Sequence, residues 1–230
     1  MSLRVRVADY AWIVAAQARA FLAPPDPGRW GSGAGATVLL LPGIWEGWAV
    51  LRELGDALHR AGHPVRVVPG LGTNSADVDV AARLVADRLD ALDLHDVVVV
   101  AHSKGGLIAK AALPLAGDRI AGIVTFATPF AGSRYATWFP ARPVRRLSPR
   151  DPALRELAAD VSSHSRIVAL RPRFDPHVPR DAATPALTGA VEVELPLDGH
   201  FRPLGDADLH AAVVRAVDGF SGPGRRPHEP

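Results

Sequence analysis

A chain of 230 residues is long enough for one α/β domain with a substantial core. An apolar fraction of 48% with 22% charged residues excludes a disordered chain, and the absence of cysteine removes disulfides, thiolate metal sites and cysteine nucleophiles together. The net charge of +2 comes from basic residues scattered along the chain, which reads as solubility and not as a nucleic-acid footprint.

Residues 1–22 carry Arg4 and Arg6 ahead of an apolar run at 10–16, with Asp9, Gln17 and Arg19 around it. The run is marginal for the core of an export signal and too short for the roughly 20 apolar residues that span a bilayer. Tyr10, Ile13, Val14, Gln17 and Phe21 share one helical face. Residues 1–30 are therefore expected to form an amphipathic helix and linker packed on the domain, in preference to an export signal or a membrane-surface anchor. A cytoplasmic protein without an integral membrane segment follows from that reading. Pro24-Pro25-Asp26-Pro27-Gly28 ends the helix, and a glycine-rich stretch leads into the core.

From residue 37 the chain alternates apolar strand-length runs with helical patterns. Strands are expected at 37–41, 64–68, 97–101, 120–126, 166–170 and 191–195. Between them fall helices at 48–58, from Asn74 or Ser75 (as cap) to Leu89, at 104–115, near 153–161, and finally at 206–217, with Gly62 placed to cap the first. Strands apolar on both faces and separated by helices imply a parallel sheet covered on both sides. Residues 31–220 thus read as a single domain, and the charged, Gly/Pro-rich stretch 221–230 as a frayed tail.

Val97-Val98-Val99-Val100-Ala101-His102-Ser103-Lys104-Gly105-Gly106 carries the chemistry. A β-branched strand runs into a serine flanked by small residues and then into a helix, the pattern of a nucleophile elbow with Ala101 in place of the usual first glycine. Larger side chains at 101 or 105 would collide where strand and helix close around Ser103. A serine needs a base and a group to orient it. The loop after the 166–170 strand presents Asp175 and the loop after the 191–195 strand presents His200, in the chain order that such an elbow uses. Asp198 is the alternative orienter, but residues two apart in one loop rarely meet with suitable geometry. The backbone N–H groups of Lys104 and Ile44 are the expected oxyanion donors, with Gly43 allowing a sharp turn before Ile44.

These pieces resemble compact bacterial lipases and esterases of the α/β-hydrolase superfamily. The resemblance rests on Leu41-Pro42-Gly43-Ile44, Gly72-Thr73-Asn74, the Ser103 elbow, Thr128-Pro129-Phe130-Ala131-Gly132-Ser133, and the Asp175 and His200 loops, over roughly residues 37–217. It implies a three-layer α/β-hydrolase fold with a mostly parallel central sheet of about six strands, helices on both faces, and a short cap at 129–150. It also implies hydrolysis of a small-molecule or lipid carboxylic ester through an acyl-enzyme, with no metal or cofactor. Pro42 stands where many relatives have histidine, and Lys104 where they have an apolar residue or glutamine.

Other residues have plainer readings. Trp45, Phe130, Trp138 and Phe201 are candidates for an apolar acyl pocket, with Tyr135 and Phe139 nearby. His102 and His177 read as wall or surface residues of the cleft. His177, His200 and His210 lack metal-ligand spacing, and Arg142, Arg145, Arg146 and Arg150 read as a solvated face. Two further functional readings accompany ester hydrolysis: acyl transfer by the same triad, and a non-catalytic protein of the same fold.

Overall fold

The computed structural model describes residues 2–179 and 187–220. The tail expected at 221–230 lies outside the described residues. Strands β1 (Val38–Leu41), β2 (Val65–Val67), β3 (Val97–His102), β4 (Ile120–Phe126), β5 (Ile167–Phe174) and β6 (Val191–Asp198) form one sheet in the order β2-β1-β3-β4-β5-β6. Every pairing between them is parallel. The helices are α1 (Ser2–Leu22), α2 (Arg52–Arg60), α3 (Val78–Ala91), α4 (Lys104–Ala116), α5 (Arg142–Arg145), α6 (Pro152–Ala159) and α7 (Ala207–Asp218).

Alternation along β1 shows why three layers form. Val38 and Leu40 point into a core shared with Ile13 of α1, Leu54 and Leu58 of α2, and Leu209 and Val213 of α7. Leu39 and Leu41 point the other way, against Ala82 and Val85 of α3 and Ile108 and Ala109 of α4. Both faces of the strand are covered, which is what an unbroken aliphatic run requires.

β5 and β6 extend past their expected ends, to Phe174 and Asp198, which pair in register across an irregularity in β5. The residues that follow, Asp175 and the loop of His200, therefore leave the sheet side by side. Gly62, at φ +94°, follows α2 as expected. The helix expected from Asn74 or Ser75 begins instead at Val78, because Asn74 turns its side chain inward to other work.

The buried face of α1 is rotated from the one expected. Asp9, Ile13 and Ala16 are buried, whereas Tyr10, Val14 and Phe21 are exposed. Polar Asp9 lies on the inner face because it has partners there, which an apolar pattern does not reveal. No helix among the described residues is long and apolar enough to cross a membrane.

Between β4 and α6, a 3-10 turn (Arg134–Trp138) and α5 fold over the carboxyl end of the sheet. Ala136 and Leu147 pack there against Leu107 and Leu154. Arg142, Arg145 and Arg150 are exposed as expected. Arg146 departs from that cluster: its guanidinium lies 3.2 Å from Asp77 and 2.9 Å from Asp151, tying this segment to the start of α3.

Candidate active site

The site is built at the carboxyl ends of β1 and β3. Strand order reverses between them, and an open parallel sheet leaves its crevice at that point. Ser103 sits between β3 and α4 with φ +50° and ψ −121°, a conformation rare for a residue with a side chain. Its N–H donates to Phe126 O at 2.8 Å. The small neighbours are explained by space: a Cβ on Gly105 would stand 2.6 Å from Leu41 O, and one on Gly106 would stand 2.2 Å from Thr128 Oγ1.

Ser103 Oγ lies 2.9 Å from His200 Nε2, and His200 Nδ1 lies 2.8 Å from Asp175 Oδ2. Asp175 Oδ1 also accepts the N–H groups of His177 and Val178, at 2.7 and 2.8 Å. All three side chains are buried. Burial alone would raise the Asp175 carboxyl, but the His200 charge and N–H and the two backbone donors hold it below its ordinary range. For His200 burial pulls downward, while the Asp175 charge and hydrogen bond, with Glu46 and Asp9 further off, hold the imidazole above its ordinary value. Asp198 is turned to Arg173, at 2.8 Å, and takes no part in this chain of contacts. His177 is a half-buried wall residue, as expected, and burial first, then the His200 charge, push it down to about 4.

The turn after β1 differs from the expectation in one respect. Gly43 has no positive φ; the left-handed residue is Trp45, at φ +58°. Gly43 lacks a side chain because a Cβ there would stand 2.8 Å from Glu46 Oε1 and 2.9 Å from His102 Nδ1. Those two groups form a buried pair at 2.9 Å, and Glu46 Oε2 also accepts the N–H of Gly43 at 2.8 Å. His102 Nε2 faces the carbonyl of His200 at 3.0 Å and so carries a hydrogen. His102 is therefore a strut between the turn and the His200 loop, with both ring nitrogens engaged. Asn74 Nδ2 donates to Pro42 O at 2.7 Å and fixes the other side of the turn. The Lys104 ammonium points away from the cleft, to Asn74 O at 2.8 Å and to Ala76 O. None of these roles has a local sequence signature, since the partners lie 30 or more residues apart or are backbone atoms.

The turn places Ile44 on the wall of the same pocket as Ser103. Lys104, the first residue of α4, has an N–H that no intrahelical carbonyl satisfies. Ile44 therefore lines the cleft that holds Ser103, and the Lys104 N–H directly follows Ser103 at the start of α4.

Ser103 and His200 open into a cavity of about 330 Å³, walled by Ile44, Trp45, Tyr135, Phe139, Leu147 and Phe201 among others. Two expected pocket residues, Trp45 and Phe201, are in the wall and two are not. Phe130 packs against the α4 side of the sheet and faces a neighbouring cavity that contains neither Ser103 nor His200. Trp138 is 81% exposed under the guanidinium of Arg150. The 3-10 turn (Arg134–Trp138) presents Tyr135 and Ala136 to the pocket and Trp138 outward, a division that spacing within an irregular segment does not fix.

A family model described as the alpha/beta hydrolase fold matches residues 36–143, which hold the Gly43 turn and the elbow and stop before Asp175 and His200. Three solved structures illustrate the likeness. One is an extracellular α/β-hydrolase from a Paenibacillus species, described as homologous in structure and function to tobacco salicylic acid binding protein 2. It is 19% identical, with a TM-score of 0.58 over 81% of this chain and 99% of its own. A monoacylglycerol lipase of Paleococcus ferrophilus is 16% identical, with a TM-score of 0.56 over 80% and 95% of the two chains. A thermophilic esterase of Thermogutta terrifontis is 16% identical, with a TM-score of 0.55 over 83% and 92%. At these identities the fold is what is shared. No curated protein matches the chain by sequence. The chain has the α/β-hydrolase fold.

Proposed function

We propose that this protein is a serine hydrolase that cleaves carboxylic esters through an acyl-enzyme, with Ser103, His200 and Asp175 as its triad. The observation that supports this most directly is the unbroken chain of contacts from Ser103 Oγ through His200 to Asp175, at 2.9 and 2.8 Å, beside an apolar pocket. His200 Nε2 takes the proton of Ser103 as Oγ attacks the ester carbonyl. The N–H groups of Ile44 and Lys104 receive the oxyanion. His200 then returns the proton to the departing alcohol, and water releases the acid by the same steps in reverse order. Asp175 holds the Nδ1–H tautomer and stabilises the imidazolium. No step calls for a metal or cofactor.

The pocket supports a small-molecule or lipid ester with an acyl group of modest size, since about 330 Å³ lies at the low end of ligand cavities. Fold neighbours described as a monoacylglycerol lipase and an esterase accord with that class. The test is turnover of p-nitrophenyl esters of increasing chain length, with Ser103→Ala as the control and alcohols added as competing acceptors. Short and medium chains should be preferred, and Ser103→Ala should lose about 10⁴- to 10⁶-fold of the rate. Unchanged turnover in that variant overturns the reading, whereas alkyl-ester products formed in place of acid would redirect it to acyl transfer.

A further inference from the structure

Asp9 is the one acidic residue of α1, and it is fully buried, beside Ile13 and Ala16 on the face that meets the core. A carboxylate in such a place is costly unless its oxygens are saturated with donors. They are: Oδ2 accepts the N–H of His200 at 3.0 Å, and Oδ1 accepts those of Phe201 and Arg202, both at 2.8 Å. Three successive amides turned to one anion make a concave nest. The fit leaves no spare room, because a Cβ on Gly199 would stand 2.5 Å from Asp9 Oδ1 and that residue has φ +117°.

His200 is thereby gripped at three points. Asp9 holds its N–H, His102 holds its carbonyl at 3.0 Å, and Asp175 holds its ring. The same helix flanks the cleft on its outer side, where the Tyr10 ring lies 5.3 Å from His177 and Gln17 Nε2 donates to Trp45 O at 3.0 Å. We infer that Asp9 is a positioning residue for His200, so that α1 is a working part of the catalytic site and not an appended helix. The inference rests on the triad reading above. Residues 2–22 cannot be removed without removing that carboxylate.

The groups that face His200 are Asp175 and His177 after β5, Glu46 after β1, His102 at the end of β3, and Asp9 with Arg6 on α1. Loss of the Asp9 charge should therefore lower the pH at which His200 becomes protonated, besides loosening its placement. The experiment compares Asp9→Asn, Asp9→Ser and Ile13→Ala with the parent chain, reading kcat, KM, the acid limb of kcat/KM and the melting temperature. Ile13→Ala weakens the apolar docking of α1 and removes none of the hydrogen bonds that Asp9 makes to the His200 loop. Both Asp9 variants should lose about 10- to 100-fold in kcat with little change in KM, and their acid limb should move to lower pH. Ile13→Ala should melt earlier with kcat and the acid limb intact. Wild-type kcat and acid limb in the Asp9 variants, or equal losses in Ile13→Ala, would overturn the inference while leaving the triad standing. Full turnover in Ser103→Ala would overturn both.

Discussion

At the scale of single residues, the candidate site divides into groups that announce themselves and groups that do not. Asp175 and His200 should control the pH profile together. His200 is held above its ordinary value chiefly by the adjacent Asp175 charge, against the pull of burial, so kcat/KM should fall as pH drops through a value above that of free histidine. Asp175→Asn removes that support: the acid limb should move down, and kcat should fall by about 10⁴-fold because the imidazole loses its tautomer and orientation. Asp198→Asn, which only frees Arg173, should leave kcat near its starting value, and a pH-rate series on the two variants checks both statements. His177, pushed down to about 4, stays neutral across this range and does not contribute a second limb. The sequence made Ser103, Asp175 and His200 legible because each ends a strand in a fixed chain order. It hid Asp9 and Glu46, whose partners are backbone amides and a histidine far along the chain.

At the scale of elements, the elbow and the helix behind it show why composition alone underdetermines a glycine. Gly105 and Gly117 bracket α4, and both look like ordinary helix-end glycines in the sequence. Gly105 is crowded by two backbone carbonyls, those of Leu41 at 2.6 Å and Pro42 at 2.8 Å, which cannot swing away as a side chain would. Gly117 has open space around it and is needed only for its φ of +57°. Gly105→Ala should therefore force β1 and α4 apart, cost about 2–3 kcal/mol, and lower kcat about 100-fold by moving Ser103 against its partners. Gly117→Ala should cost about 1–3 kcal/mol of backbone strain, since ψ there is −130°, and leave kcat unchanged. Urea denaturation with parallel kinetics separates the two. The strands were readable throughout because runs such as 97–100 tolerate no other environment. The face of α1 was not, because Asp9 is buried for its hydrogen bonds while Tyr10, Val14 and Phe21 stay outside.

For the whole molecule, the doubly covered sheet places a charge problem inside the fold. Both lysines of the chain, Lys104 and Lys110, lie on α4 and are buried. Desolvation pushes Lys104 down to about 8 against the opposing influence of Asp77, and it lowers Lys110 as well. An unfolded chain holds a lysine proton up to about pH 10.4. Between about pH 8 and 10 the unfolded state therefore binds more protons than the native one, and stability should rise with pH across that window. Below it both states are protonated and the full cost is present, about 3 kcal/mol for Lys104 from the size of its displacement. Lys104→Met keeps the backbone N–H beside Ser103 but removes the ammonium, so its stability curve should be flatter over the same window. Lys110→Met should flatten the remainder. Urea midpoints taken every half unit of pH decide the matter: a parent curve that stays level or falls from pH 8 to 10 would mean that the two ammonium groups are not desolvated as their burial requires.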